Sequence, residues 1–408
     1  MEKTNYTISF SPAADTVDVD LPASKSISNR ALTIAAMADG CSIGNIADCD
    51  DTNAIRRALL TQSAQANVNI GAAGTAMRFL TAYFASQPWR SVLLDGTPRM
   101  RKRPIGELVE ALRLCGADID YYASEGYPPL WIEGRHLKAD APLRMRGNVS
   151  SQYVSAMMMV APMMKGGLTI EIEGGLTSRP YVEMTAALMR HFGAEVTVGE
   201  STIVIEGKPY SPSSLTVESD WSAASYWYEI KALCPDLDIR LNGLQSDSLQ
   251  GDSRVAEYFK LFGVTTEYTD NGVALGFCDA DRDATLNIDL SSQPDIAQTI
   301  VVTACLTGRP FRIGGHAAHK GDRPSRGAAC PTRPTRIQHR DCRRQHPFLG
   351  RRSRRSRRLP TDSHLRRPPD GNGFRPGCNT LPLTDGARRR SGVEVISRLL
   401  AASRTGRF

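Results

Sequence analysis

Apolar positions along this chain fall into two alternating helical patterns, separated by short stretches of β-type alternation. The first pattern opens on a small or acidic residue and continues as an Ala/Met-rich run that is apolar nearly all the way round. It predicts helices over Ser24–Ala36, Gly74–Ala85, Ser150–Val160, Ser222–Leu233 and Pro294–Leu306. From the second onward these start about 70–76 residues apart, the mark of an internal repeat. The second pattern reads Arg-Pro, then apolar residues at helical spacing, then Gly-Ala and a β-rich run. It covers Arg103–Ile119 and Arg179–Val196, with a looser copy at Arg254–Thr265. Gly116, Gly193 and Gly263 stand where helix C-caps belong. Leu168–Glu173, Thr202–Glu206 and Ala284–Leu290 read as strands between the helices.

The unit is therefore strand–helix–strand–helix–strand–strand, repeated about every 72 residues. Three units make one compact domain, and six make two. Helices this apolar belong inside, with the sheets outside. Each helix of the first kind carries free N–H groups and about half a positive charge at its N-terminus. Several converging on one cleft would draw in a polyanionic small molecule.

Composition changes this picture at one end only. Of 408 residues, 41% are hydrophobic and 7% aromatic, as in an ordinary α/β protein. No apolar run is long enough to span a bilayer, and Met1–Asp20 lacks the pattern of a secretory or transit signal. Nine scattered cysteines, with no zinc spacing, fit reduced thiols in a cytosol. The net charge of +7 hides an asymmetry. Residues 316–408 hold 22 Arg and one Lys against six carboxylates, whereas residues 1–315 hold 27 Lys+Arg against 37 Asp+Glu. A basic tail on an acidic body is the usual sign of a nucleic-acid arm.

Candidate chemistry sits at the helix starts. Lys25-Ser26-x-x-x-Arg30 offers an ammonium, a hydroxyl and a guanidinium suited to phosphate or carboxylate; capping with solvated charges is the plainer reading. The turn from Gly71 to Arg78 places Gly74 where the backbone can approach an anion, or where a helix simply packs tightly. Pro98–Pro104 puts four basic residues, Arg103 among them, before a helix or in a surface loop. Ser150-Ser151-Gln152 and Ser178-Arg179-Pro180-Tyr181 open two further helices, as ligand groups or as caps. Gln293-Pro294-Asp295 sets a carboxylate at another helix start, as a cap or as a base aimed into the cleft.

Taken in order, LPASKSISNR, GAAGTAMRF, DGTPRMRKRPIGELVEAL, GNVSSQY, SRPY and QPDIAQT resemble the motifs of the 5-enolpyruvylshikimate-3-phosphate synthases, collinear over residues 20–315. The resemblance implies an α/β fold of two lobes, each an inside-out α/β barrel of three repeats. One lobe would comprise residues 1–20 with 218–315, the other residues 21–217. It implies transfer of the carboxyvinyl group of phosphoenolpyruvate to the 5-hydroxyl of shikimate 3-phosphate, in a cytoplasmic monomer that needs no metal or redox cofactor. By the same resemblance Lys25 and Gln152 touch both substrates. Ser26, Arg30, Ser150, Ser151 and Ser178 bind shikimate 3-phosphate, Gly74 and Arg103 face phosphoenolpyruvate, and Asp295 takes the proton of the attacking hydroxyl. Ala72, where Asn is common, and Phe79, where Pro is common, depart from the pattern and bear on the shape of the phosphoenolpyruvate pocket.

The family pattern should continue with K-E-T-D-R, D-D-H-R-M-A and K-S-Y-P segments, and residues 316–408 contain none of them. They hold no Tyr or Trp, five of the seven His, and runs such as Arg351–Arg358. Synonymous codons for this stretch, read one base later, restore the missing motifs. Ala317–Ser325 gives K-E-T-D-R, Asp362–Gly377 gives I-R-T-Y-D-D-H-R-M-A-M-A-F-A-P, and Val393–Leu400 gives S-K-S-Y-P-G-F-W. The outer bases of the shifted codons are largely fixed, so three ordered matches in one frame point to a frameshift near Gly315. The tail is then expected to be disordered, the sixth repeat disrupted and the chain inactive. Two other readings are an enolpyruvyl transferase acting on UDP-N-acetylglucosamine and, from the tail alone, a basic nucleic-acid-binding protein. The tail lacks the aromatic residues that would support the second.

Overall fold

The computed structural model describes residues 16–314, apart from Gln62, Asn148, Val149, Thr177, Arg282 and Asp283. The expected disordered tail lies outside the described residues. Strand β1 (Thr16–Asp20) leads to α1 (Lys25–Ala35), β2 (Ser42–Gly44) and α2 (Asp50–Leu59). One repeat then runs β3 (Gln65–Asn69), α3 (Gly74–Ala85), β4 (Ser91–Asp95), α4 (Gly106–Leu114), β5 (Asp118–Tyr121) and β6 (Leu130–Glu133). The next runs β7 (Leu143–Arg146), α5 (Ser151–Val160), β8 (Leu168–Glu173), α6 (Arg179–His191), β9 (Val196–Val198) and β10 (Thr202–Ile205). In both, the first two strands pair in parallel across a helix, as a crossover allows. The closing hairpin then adds antiparallel, giving sheets β3-β4-β6-β5 and β7-β8-β10-β9.

After β11 (Ser214–Thr216), which pairs in parallel with β2, come α7 (Trp221–Leu233), β12 (Asp238–Asn242), α8 (Val255–Lys260), β13 (Val264–Thr269) and β14 (Gly272–Phe277). These form the same sheet pattern, β1-β12-β14-β13, with the distant β1 as first strand. The chain thus leaves this sheet after β1 and rejoins it some 220 residues later, Thr16 pairing with Asp238. Finally β15 (Leu286–Asp289), α9 (Ala297–Thr307) and β16 (Phe311–Gly314) begin the unit again. Among the described residues their sheet has two strands, paired in parallel.

The helices lie inside. All twelve residues of α3 are buried, as are Tyr153–Val160 of α5. Strands such as β8 and β10 alternate buried and exposed positions, with one face on the helices and one outward. The buried apolar residues from Ala23 to Val217 form one continuous core. Gly116, Gly193 and Gly263 have φ of 86°, 85° and 88°, the left-handed conformation that ends a helix. The fifth predicted helix starts differently: Pro294–Ile296 form a 3₁₀ turn before α9, since proline fixes φ and lacks an N–H. Helices inside and sheets outside match the inside-out α/β organisation that the resemblance implies. The described sheets remain separate two- and four-stranded layers around the helices, because each hairpin ends its sheet.

Candidate active site

The starts of α1, α3, α5 and α6 approach one another through side chains. Lys25, in the first turn of α1, places Nζ 2.7 Å from Asp51 Oδ2. Burial pulls the Lys25 ammonium down, but Asp51, helped by Cys49 and Asp295, holds it above the ordinary lysine range. The other Asp51 oxygen accepts the N–H groups of Thr75 and Ala76, at 2.9 and 3.4 Å, and so caps α3. Gln152 Nε2 reaches Thr75 Oγ1 at 3.2 Å, tying α5 to the same spot.

Gly74 opens α3 and lets the Arg103 side chain lie close against the turn. A Cβ there would lie 2.3 Å from Nη1 of Arg103, which lies against this turn. Desolvation, and then the charge of Arg78, lower the Arg103 pKa. Lys25, Arg78 and Arg103 thus crowd the start of α3 around a single carboxylate, Asp51. Ser150 is the N-cap of α5, with its Oγ 3.3 Å from the Gln152 N–H. Ser151 is the first residue of that helix and half-buried.

Arg30 lies deeper, at 2% exposure. Its Nε donates to Thr185 Oγ1 at 2.7 Å, Nη1 to the Ser26 carbonyl at 3.0 Å, and Nη2 to Ser155 Oγ at 3.3 Å. The guanidinium carbon lies 5.4 Å from the centroid of the Phe79 ring and 5.8 Å from that of Tyr181. Burial lowers its pKa to about 10. The departure at Phe79 therefore falls beneath Arg30.

Tyr181 links this buried charge to the base candidate. Its hydroxyl donates to Asp295 Oδ2, and burial, with Asp295 beside it, raises the phenol well above its usual range. Asp295 itself is exposed, so a carboxylate faces the open side with a phenol fixed on one oxygen. Ser178, the N-cap of α6, has φ 56° and ψ 43°. A side chain adopts this left-handed conformation at a cost. Its Oγ lies 3.5 Å from the Ser291 carbonyl, four residues before Asp295.

The structure thus links Lys25, Gly74, Arg103 and Gln152 around α3, and Arg30 and Asp295 around Tyr181, with the Ser26 carbonyl on Arg30. Lys25 and Asp295 are close enough for their charges to act on one another.

Four contributing residues escape a reading by motif. Asp51 lies in α2, whose narrow buried stripe gives no clear helical signal. Tyr181 lies within a motif but reads as cap-flanking. Asp220 caps two helices at once, accepting Ala223 N–H at 2.9 Å in α7 and Lys25 N–H at 3.2 Å in α1. Asp252 is almost fully buried, accepts from Ser222 Oγ at 2.5 Å, and has its pKa raised to about 7 by burial and by Asp295. Only their distant partners reveal these roles.

Comparison with known proteins points to one family. Residues 55–332 match the family model of EPSP synthase (3-phosphoshikimate 1-carboxyvinyltransferase), and the match ends inside the arginine-rich stretch. A 3-phosphoshikimate 1-carboxyvinyltransferase of Bacteroides fragilis is 49% identical over 309 residues, covering 74% of this chain and 73% of that protein. One of Ralstonia nicotianae is 38% identical over 318 residues, covering 70% and 72%. The solved EPSP synthase of Acinetobacter baumannii superposes with a TM-score of 0.57 at 21% identity, over 71% of this chain and 72% of that one. At that identity the superposition speaks for the fold, a two-lobed enolpyruvyl transferase fold of mixed α and β structure, while the family match and the closer relatives speak for descent. The chain belongs to the EPSP synthase family.

Proposed function

We propose that this sequence encodes a 3-phosphoshikimate 1-carboxyvinyltransferase whose reading frame is displaced near Gly315. The observation that carries the first half is the cationic and hydroxyl-rich set around α1, α3, α5 and α6, with Asp295 facing it. The 5-hydroxyl oxygen of shikimate 3-phosphate bonds to C2 of phosphoenolpyruvate, its proton passing to Asp295, while C3 gains a proton. Loss of a proton from C3 and cleavage of the bond between C2 and the phosphate oxygen then release phosphate and leave the enolpyruvyl ether. Lys25, Arg103 and the start of α3 offset the charge of phosphoenolpyruvate. Ser26, Arg30, Ser150, Ser151 and Ser178 hold shikimate 3-phosphate, and Gln152 touches both ligands. Lobes of residues 1–20 with 218–315 and of residues 21–217 would close over the pair and exclude water.

The second half rests on the shifted-frame motifs. In this reading the 408-residue chain lacks the remaining phosphoenolpyruvate groups and has no turnover. Among the described residues no helix is long and apolar enough to cross a membrane, and the reading places the enzyme in the cytoplasm as a monomer. Among the described residues no structural feature favours the UDP-N-acetylglucosamine reading, and the stretch behind the nucleic-acid reading lies outside the described residues.

Restoring the frame by one base and assaying phosphate release tests the proposal. Release should need both substrates, with UDP-N-acetylglucosamine unable to replace shikimate 3-phosphate. In the restored protein Asp295→Asn should lose about 10²–10⁴-fold in turnover; near-normal turnover would remove Asp295 from the mechanism.

A further inference from the structure

Gln250 is buried, and its amide is fully used. Oε1 accepts from Ser24 Oγ at 2.9 Å and from the Trp221 N–H at 3.2 Å. Nε2 donates to Glu218 Oε1 and to the Ser219 carbonyl, each at 2.8 Å. An amide side chain has two lone pairs and two N–H bonds, so every one of them has a partner. Those partners lie on the two segments by which the chain leaves the β1–β12 sheet and returns to it. The segments run against each other: the Ser24 N–H donates to the Glu218 carbonyl and the Asp220 N–H to the Pro22 carbonyl, both at 2.8 Å.

The next two residues extend the reach of Gln250. Gly251 opens a 3₁₀ turn, and a Cβ there would lie 2.5 Å from Cβ of Pro180, at the start of α6. Asp252 accepts from Ser222 Oγ, in the first turn of α7. The run Gln250–Asp252 therefore touches the starts of α1, α6 and α7. Ser24, which Gln250 holds, directly precedes Lys25 and Ser26 and is the N-cap of α1.

We propose that Gln250 is a positioning residue for the carboxyvinyl transfer: it locks the start of α1 against that of α7, and so fixes Lys25 and Ser26 relative to the groups carried by residues 218–314. This deepens the proposed function and rests on it. The position demands an amide. Alanine would leave the Ser24 hydroxyl, the Trp221 N–H, the Glu218 carboxylate and the Ser219 carbonyl short of a partner in a buried place. Glutamate would keep the acceptor but set a second carboxylate against Glu218. Burial raises the Glu218 carboxyl, and Asp247 adds to this, while Ser248 and Gln250 stabilise the charge. A pair of carboxylates here would hold one proton between them on the acid side and lose it as pH rises.

The test compares Gln250→Glu, Gln250→Ala and the exchange Glu218→Gln with Gln250→Glu. Calorimetry measures shikimate 3-phosphate binding by the full 408-residue chain and by the chain with its frame restored. Gln250→Glu should bind about tenfold more weakly at about pH 8 and recover at about pH 6, where the shared proton replaces the lost donor. The exchange puts an amide back opposite the carboxylate and should recover most of the binding at the higher pH. Gln250→Ala should stay weak at both. In the restored chain, KM for shikimate 3-phosphate should follow the same pattern. Parent-like binding by Gln250→Glu at both pH values would overturn the proposal and leave the function standing. Equal losses in Gln250→Glu and in the exchange, independent of pH, would reduce Gln250 to general packing and overturn it too. Failure of both parent chains to bind shikimate 3-phosphate would overturn the function, and the role of Gln250 with it.

Discussion

Helices α3 and α9 open the same repeat with similar small apolar residues, yet all twelve positions of α3 are buried and only four of eleven in α9. The difference lies in their neighbours. Around α3 stand α1, α2, α4 and α5, together with β4 and β6 of its own sheet. Around α9 the main described helical neighbour is α7. A repeat of this kind cannot bury its own faces and depends on the next one. Five of the eight buried side-chain atoms without hydrogen-bond partners, on Glu218, Trp221, Glu229, Asp252 and Arg309, lie in residues 218–314. That region makes up about a third of the described residues, so such atoms concentrate there.

The contrast can be broken most forcefully by paired truncations. Leu80→Ala in α3 removes a fully buried side chain and should cost roughly 2–5 kcal/mol. Leu306→Ala in α9 should cost less than about 0.5 kcal/mol. Comparable losses in denaturant melts would show that α9 is packed as tightly as α3.

Asp220→Ala comes next, at about 1–2 kcal/mol, because one carboxylate caps both α1 and α7. Asp220→Asn keeps one acceptor and should recover part of the loss. An unchanged melting curve for the alanine variant would mean that the shared cap does not join the two regions.

A smaller effect follows from Glu229. Burial raises its carboxyl from 4.5 to about 7, so the folded chain favours the neutral form. The stability tied to that form is fully present below about pH 4.5 and is lost as pH rises through about 7. Glu229→Gln should flatten that part of the stability–pH curve. An identical slope in both proteins would mean that the carboxyl has found a partner. Last, Gly74→Ala should leave stability nearly unchanged, since the colliding Arg103 can swing away. In the restored enzyme it should raise KM for phosphoenolpyruvate more than it changes kcat; an unaltered KM would place Arg103 elsewhere.

The repeat was legible because its helices are apolar nearly all round. The predicted span Gly74–Ala85 coincides with α3 and Leu168–Glu173 with β8. Helix α2 was not, because Asp50 to Leu59 presents only a narrow buried stripe at Thr52, Ala54, Ile55 and Ala58. Lys25, Arg30, Gly74 and Asp295 could be named from local motifs. Asp51, Asp220 and Asp252 could not, because each acts on a backbone or side chain far along the chain. The sequence also gave no hint that Phe79 would lie under Arg30, since that contact joins two helices.

Hydrogen exchange resolved by segment tests the contrast most directly, by comparing α3, α9 and β16 in the 408-residue chain and in the chain with its frame restored. Amides of α3 should exchange only through near-global opening in both proteins, while those of α9 and β16 exchange through local opening in the first and gain protection in the second. Equal protection of α3 and α9 in the 408-residue chain would contradict the account.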